Sequence, residues 1–401
     1  MSRPMKDSGV KWIGDIPANW KINTAKRIFR KEKRPIVKDE IVTAFRDGEV
    51  TQRKNRRTSG FTMADKEIGY QGVEPGDLVI HAMDAFAGAI GVSDSQGKCS
   101  PVCSICTPIT EVDTYYYSYL LRAYSFLGYI ESMAKGIRER STDFRYTTFA
   151  ITPLIQPPLE EQKKITTFIE EKASHIDSII SQTKESIEAF KAYKKALVME
   201  TVTKGLDAKV KLKDSGIGWI GDIPEHWRGT KIRNLCYLQS GKNLTSEEIE
   251  PEGLFPVYGG NGIRGYYHTF NRDGYHILIG RQGALCGNIN LARGKFWATE
   301  HAIVVENKGF TDVTYFSYLL QSMNLNQYSQ TAAQPGLAVG QINNLKTILP
   351  PVIEQQQIAD FLDQKTAHID SLIADKEKMV RELQEYKKSL IYEYVTGKKE
   401  V

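Results

Sequence analysis

KDSGVKWIGDIPANW, residues 6–20, returns as KDSGIGWIGDIPEHW at residues 213–227. The copies lie 207 positions apart, and each packs two Trp, a Pro, and Gly and Asp turn formers into fifteen residues. A stretch so dense in aromatics and turn formers, repeated almost unchanged, marks the start of a repeated structural unit.

Further matches follow in the same order. PPLEEQKKITTFIEEKASHIDSII at 157–180 returns as PPVIEQQQIADFLDQKTAHIDSLI at 350–373, a shift of 193. Tyr193-Lys194-Lys195 returns as Tyr386-Lys387-Lys388, and Val202-Thr203 as Val395-Thr396, at the same shift. Between them, YSYLL at 117–121 matches FSYLL at 316–320, Leu78-Val79-Ile80 meets Ile277-Leu278-Ile279, and Gly88 meets Gly287, all 199 apart. The offset falls in two steps, so the first copy carries longer loops. Each unit reads as a WIGDIP segment, a variable globular stretch and a long helix. The expected segments are 1–156, 157–206, 207–349 and 350–401, with the repeated segments 6–20 and 213–227 opening the two globular parts. The frames agree almost letter for letter while the middles share only scattered patches. That is the pattern of one frame holding two differently tuned devices.

The totals bound the class. A chain of 401 residues allows two or three domains, and 41% hydrophobic with 10% aromatic residues is enough for packed cores. No apolar run approaches the ~18 residues of a membrane span. The opening MSRPMKDSGVKW lacks an apolar core, so no secretory signal is expected. Five Cys, at 99, 103, 106, 236 and 286, suit reduced thiols in a cytoplasm better than a disulfide framework. A net charge of +5 permits a polyanionic partner without demanding one.

In the helical segments, apolar residues at 165, 169, 176, 179, 187, 190, 193 and 197 are matched by Ile358, Leu362, Ile369, Leu372, Leu383, Tyr386 and Leu390. The period near seven predicts two long coiled-coil helices packing on each other, antiparallel if a pseudo-twofold axis relates the units. Pro157-Pro158 and Pro350-Pro351 mark their starts, Glu161 and Glu354 sit in the first turns, and Gly205 and Gly397 mark their ends. About 40 residues make a rod of roughly 60 Å. Lys172, Lys365, Thr183 and Lys376 interrupt the seam. His175 with Asp177, and His368 with Asp370, invite a metal reading, but i and i+2 point to different sides of a helix, which favours solvated or partner-facing polar groups.

Both middles read as mixed α and β, with DLVI and HILI strands followed by glycine turns and a YxYLL helix. The first is densely basic and the second places Arg among Gly, Asn and Gln, the kit for phosphate contacts and base-edge hydrogen bonds. A single Arg is by default an ordinary surface charge; the clusters together point to nucleic acid. The candidate DNA contacts are Lys31, Lys54, Arg56, Arg57, Arg138, Arg140 and Arg145 in the first middle, and Asn261, Arg264, Arg272, Arg281 and Gln282 in the second.

No catalytic motif stands up. GGNGIRG at 259–265 contains a formal G-x-G-x-x-G, but a strand-like YYHTFNRDGYHILI follows where a dinucleotide fold needs a helix. There is no P-loop and no NPP[YF] or DPP[YF] tetrapeptide. Cys99, Cys103 and Cys106 lack an obvious fourth ligand and read as small core residues.

Two variable domains, each followed by P-P-x-x-E-Q-x-x-I and a long helix and each led by WIGxIPxxW, resemble the specificity subunit of type I restriction–modification enzymes. MDAFAGAIG (83–91), VYGGNGIRGY (257–266) and FWATEHAIVV (296–305) fit as well, and the resemblance covers essentially the whole chain. It implies an α+β fold: two mixed α/β target recognition domains joined by two long antiparallel coiled-coil helices, with an internal pseudo-twofold repeat. It implies that each domain reads half of an asymmetric bipartite site on double-stranded DNA, that the helices fix the unread gap, and that two methyltransferase subunits and, through them, restriction subunits are recruited. Chemistry, S-adenosylmethionine, ATP and Mg would then belong to those partners in a prokaryotic cytoplasm, leaving this chain non-catalytic, without a metal or cofactor of its own and with no membrane partner. The alternative is a stand-alone DNA-binding or scaffold protein. Trp12, Pro17, Trp20, Trp219, Pro224, Trp227, Glu161, Gln162, Glu354 and Gln355 are expected to anchor domain to helix, with a direct methyltransferase contact as second choice, and residues 1–20 to pack near the end of the second long helix.

Overall fold

The computed structural model describes residues 3–56, 68–133, 143–283, 285–329 and 336–401. The chain forms two compact units, Met1–Thr183 with Lys378–Val401, and Lys184–Glu377. The divisions fall inside the two long helices, the central helix Leu159–Lys204 and the distal helix Val352–Val395. Each unit therefore holds the N-terminal half of one long helix and the C-terminal half of the other.

Within each unit the two half-helices run antiparallel. In the first, Phe168 packs on Tyr394 at 4.5 Å between centroids, and further along Asp177 meets Lys387 at 2.6 Å. In the second, Phe190 lies under the Lys376 ammonium at 5.7 Å, and Lys194 meets Asp370 at 2.6 Å. Ile165, Ile169, Ile176, Ile180 and Ile187 of the central helix are buried, as are Ile358, Leu362, Ile369, Val380 and Leu390 of the distal one. Each such side chain contributes about 1.5–3 kcal/mol of burial, which is what holds a helix of this length together.

Two residues assigned to the seam leave it. Tyr193 and Tyr386 are 57% exposed. Steps of three residues each fall about 60° short of a turn, so the run 187, 190, 193 rotates off the buried face. The position one residue on, Lys194 or Lys387, reaches the partner helix instead. Lys172 and Lys365 lie over Phe168 and Phe361, one turn back on their own helices, at 5.5 and 5.7 Å.

The globular part of the first unit contains strands β1 (Phe29–Lys31), β2 (Val42–Ala44), β3 (Val50–Gln52), β4 (Leu78–His81), β5 (Ile90–Val92) and β6 (Cys103–Pro108). The second unit contains β7 (Cys236–Ser240), β8 (Phe255–Gly259), β9 (Gly262–Tyr267), β10 (Tyr275–Gly280), β11 (Ile289–Arg293) and β12 (Ala302–Asn307). The central sheets have the same order, β1-β6-β4-β5 and β7-β12-β10-β11, and every pairing in them is antiparallel. Each unit also carries a separate hairpin, β2–β3 or β8–β9.

The continuous apolar runs of β4 and β10 follow from burial on both faces. Leu78 and Ile80 face the core shared with the helices, while Val79 and Ile105 face a second cluster with Cys99 and Cys103. Ile277 and Ile279, against Leu278 and Val304, divide in the same way. Alternate side chains point to opposite faces, so a strand covered on both sides is apolar throughout. All five cysteines are buried free thiols. Among the described residues no helix is long and apolar enough to cross a membrane.

Candidate nucleic-acid interface

Each domain is positioned by a joint that the repeated letters spell out. Trp20 is wholly buried, and its indole Nε1 donates to Glu161 Oε2 at 2.8 Å. Trp227 does the same to Glu354 Oε2 at 2.9 Å. A buried indole N–H needs an acceptor, and the first turn of a helix is a favourable place for a carboxylate, so one Glu serves both. The other carboxylate oxygen takes Arg3 in the first unit (2.5 Å) and His226 in the second (2.6 Å). The adjacent Gln is a second clamp. Gln162 Oε1 accepts from Asp113 N at 2.9 Å and its Nε2 donates to Pro157 O at 2.8 Å; Gln355 accepts from Asp312 N and donates to Pro350 O, both at 2.8 Å. Asp113 and Asp312 cap the domain helices Thr114–Phe126 and Val313–Ser322, so Glu-Gln ties the segment, the domain helix and the long helix at one point.

The opposite long helix is held just as specifically. Tyr116 donates to Val395 O at 2.7 Å in the first unit, and Tyr315 to Val202 O at 3.2 Å in the second. Both rings are fully buried, and burial pushes both phenols well above their usual pKa, so they remain donors. Pro17 and Trp20 abut Gly397, which puts the N-terminal segment against the end of the distal helix. Trp12 stacks on Tyr129 (4.0 Å, 24°), and Trp219 packs against the second core. Pro224 ends a strand paired to Leu212.

In the second unit a cleft of about 560 Å³ is lined by Gly260, Asn261, Arg264, Gln282, Gly283, Leu285 and His301. Gly260 and Asn261 form the β8–β9 turn, Arg264 lies on β9, and Gln282, Gly283 and Leu285 follow β10. A Cβ on Gly280 would lie 2.1 Å from Gly260 O, so only glycine lets the strand end and the hairpin turn meet there. Asn261, Arg264 and Gln282 are exposed. Asn261 Oδ1 accepts from Asn288 at 2.6 Å, and His301 lies 3.1 Å from Glu300. Amide, guanidinium and imidazole groups thus converge beside the half-exposed apolar Leu285, a set able to read donors, acceptors and a methyl group along a base edge.

The remaining candidates are placed differently. Arg281 turns inward to Ser240 Oγ (3.2 Å), and Arg272 bonds Gln239 (2.9 Å), so both serve the framework around the cleft. In the first unit Lys31 is exposed at the end of β1. Lys54 lies 3.7 Å from Glu40, Arg56 pairs with Asp47 (2.6 Å) and Glu49 (3.1 Å), and Arg145 with Asp143 (2.5 Å). Local acids thus offset much of the basic cluster. Arg57, Arg138 and Arg140 lie outside the described residues. His301 and Leu285 were not singled out by sequence, although His301 sits inside FWATEHAIVV, one of the segments that carry the resemblance.

A duplicated α+β frame carrying two unlike domains on a pair of long antiparallel helices is the class that fold and joints define. Known proteins share parts of this sequence and the whole of this architecture. The family described as type I restriction modification DNA specificity domain matches residues 224–381. The EcoprrI type I restriction enzyme specificity subunit of Escherichia coli is 43% identical over 136 residues, 33% of this chain and 34% of its own, so that match spans about a third of the relative. A protein of Methanocaldococcus jannaschii, named for the MjaX type I restriction enzyme specificity subunit, is 24% identical over 96% of this chain and 95% of its own. A solved chain from a type I R-M system superposes with a TM-score of 0.74 at 16% identity, covering 95% of this chain and 98% of its own, a likeness of fold. Over nearly its whole length the chain is thus similar to a type I restriction enzyme specificity subunit, and residues 224–381 match the specificity-domain family.

Proposed function

We propose that this chain is the DNA-recognition subunit of a type I restriction–modification complex, each domain reading one half of an asymmetric bipartite site. The observation that carries this reading is the contrast between frame and cleft. The joints at Trp20–Glu161 and Trp227–Glu354 are chemically the same, while the surfaces they present are not. Identical mounts with unlike reading surfaces suit two different half-sites. Two helices of 46 and 44 residues suit a fixed unread gap between them, because a helix resists changes of length. Methyltransferase subunits, and restriction subunits through them, would dock on this frame and supply the chemistry together with S-adenosylmethionine, ATP and Mg; this chain's part would be choice of sequence.

The test is to co-express the chain with the methyltransferase subunit of its own system and map methylated bases in the host DNA by single-molecule sequencing. A split, asymmetric motif of constant gap is the expected result. A stable complex that leaves the DNA unmethylated, or methylates it without a motif, overturns the reading. Binding that ignores sequence, with no methyltransferase complex, would instead favour a stand-alone DNA-binding or scaffold role; steep weakening with salt would separate those two.

A further inference from the structure

The cleft of the second unit has a counterpart in the first that its basic clusters conceal. The two sheets share one strand order, so the loop from β4 to β5 (82–89) corresponds to the loop from β10 to β11 (281–288). Each loop ends on a left-handed glycine, Gly88 at φ 91° and Gly287 at φ 89°. In each unit the turn of the separate hairpin comes down on this part of the sheet. A Cβ on Gly88 would lie 2.7 Å from Arg46 O in the β2–β3 turn, as one on Gly280 would lie 2.1 Å from Gly260 O in the β8–β9 turn. His81 N donates to Ala89 O and Gly280 N to Asn288 O, which closes each loop on itself, so the Arg46 turn at Gly88 and the Gly260-Asn261 turn at Gly280 both meet the sheet at the base of their loop.

The chemistry of the first unit's loop is different. Arg46 Nη2 donates to Asp84 Oδ1 at 2.8 Å, with side chains 64% and 34% exposed. The Arg46 guanidinium lies 5.8 Å over the Phe86 ring, and Met83 is 49% exposed beside it. His81 Nδ1 accepts from the Asp84 backbone N–H at 3.2 Å, and burial holds the imidazole below its usual pKa, so the ring is neutral and Asp84's charge is matched by Arg46. Asp84 Oδ2 lies 3.4 Å from His81 Nδ1, but that nitrogen already accepts from the Asp84 N–H and has no proton to donate in the neutral ring, so Oδ2 keeps its acceptor capacity. A carboxylate oriented by an arginine and bordered by an exposed thioether accepts hydrogen bonds and donates none.

We infer that the 82–89 loop is the base-reading element of the first domain, with Asp84 its specificity-determining residue: the Asp84 carboxylate accepts from the exocyclic amine of a cytosine or adenine in the major groove, and Arg46 positions it. The inference rests on the DNA-recognition reading. It departs from the Lys54 and Arg56 cluster, whose charges are taken up by Glu40, Asp47 and Glu49.

The experiment uses the purified complex of this chain with its methyltransferase subunit. Duplexes carry the motif mapped for the wild type, with every single base-pair change in each half-site, and compete for binding. Asp84→Asn keeps the size of the side chain and exchanges one acceptor for a donor; Arg46→Ala removes its positioning partner. The expected result is a loss of about tenfold or more in discrimination at one base pair of one half-site, from an amine-bearing base, in both variants, with the other half-site and the gap unchanged. An unchanged ranking of all duplexes overturns the assignment. So does a uniform loss on every duplex, since that is the signature of a structural or phosphate contact. Failure of the wild type to yield any motif would instead remove the recognition reading itself.

Discussion

Lys387 Nζ donates to both oxygens of Asp177, at 2.7 and 2.6 Å, although 210 residues separate them. Lys194 holds Asp370 at the same two distances. The HIDS segment of each repeat is thus paired with the Tyr-Lys-Lys segment of the other, which explains why both survived in both copies. The pairs are part-exposed, 22% and 56% for Lys387 and Asp177, so they fix helix register more than they stabilise. Asp177→Ala or Lys387→Ala should cost under about 1 kcal/mol. The exchanged variant with Asp177→Lys and Lys387→Asp should recover most of it, as read by hydrogen exchange along the helices.

The ends of the two long helices should respond unequally to the same substitution. Gly205 and Gly397 both have left-handed backbones, φ 76° and 69°, where a Cβ costs roughly 1–2 kcal/mol. A Cβ at Gly397 would also lie 2.5 Å from Pro17 Cδ and 2.9 Å from Trp20, whereas at Gly205 the first contact is Trp227 at 3.2 Å. Gly397→Ala should therefore destabilise its unit more than Gly205→Ala destabilises the other. With two units, unfolding by a single probe does not isolate either, so amide exchange in each is the appropriate measurement.

The indole joints should be costly to remove. Trp20→Ala and Trp227→Ala each empty a fully buried site and strip Glu161 or Glu354 of a donor, for about 3–5 kcal/mol. Glu354→Gln keeps an amide oxygen for the indole and should cost less than about 1.5 kcal/mol. Equal losses of amide-exchange protection in the second unit for Trp227→Ala and Glu354→Gln would show that the hydrogen bond outweighs the packing.

Specific and non-specific DNA contacts should separate by salt. Lys31 is exposed and forms no ion pair among the described residues, so Lys31→Ala should weaken binding to all sequences and lower the salt slope by about 1. Gln282→Ala should leave the slope alone and cost about 1–3 kcal/mol at the preferred site only. Titrations at several salt concentrations on specific and scrambled duplexes distinguish the two effects.

The frame was legible because its letters bond to one another. Trp20 needs Glu161, Gln162 needs Asp113, and Asp177 needs Lys387, so the repeat preserved them as a set. The candidate reading surface was legible only in part: Gly88 and Gly287 align the sheet loops, but the side chains those loops carry differ, and the hairpin turns differ in length between the copies. Asn261, Arg264 and Gln282 share one cleft, whereas Arg272 and Arg281, equally attractive by composition, turn into the framework. Residue type cannot say which way a side chain on an irregular edge points. Nor does a run of basic residues reveal that Glu40, Asp47 and Glu49 fold back onto it. Tyr193 and Tyr386 fit an apolar period yet stay exposed, since the local spacing of three carries them off the seam.

The thiols give a last prediction, about pH. Burial pushes the Cys236 thiol up to about 12, against an ordinary value of 9.0, with Lys308 pulling slightly the other way; Cys106 is raised by the same cause. At pH 8 the Cys236 thiolate is then about 10⁻⁴ of the population, and the thiolate is the reactive form. The native chain should leave all five buried cysteines unmodified by a disulfide reagent at pH 8 and expose five in denaturant. The sign for stability follows from the folded thiol titrating above the unfolded one. Its contribution is complete below pH 9, where both states are protonated, and is lost as pH rises from about 9 to about 12, because only the unfolded chain can shed the proton there. A Cys236→Ser or Cys236→Ala chain should show a shallower alkaline decline over that window. Rapid labelling of any thiol in the native chain would show that the cores open far more readily than their packing implies.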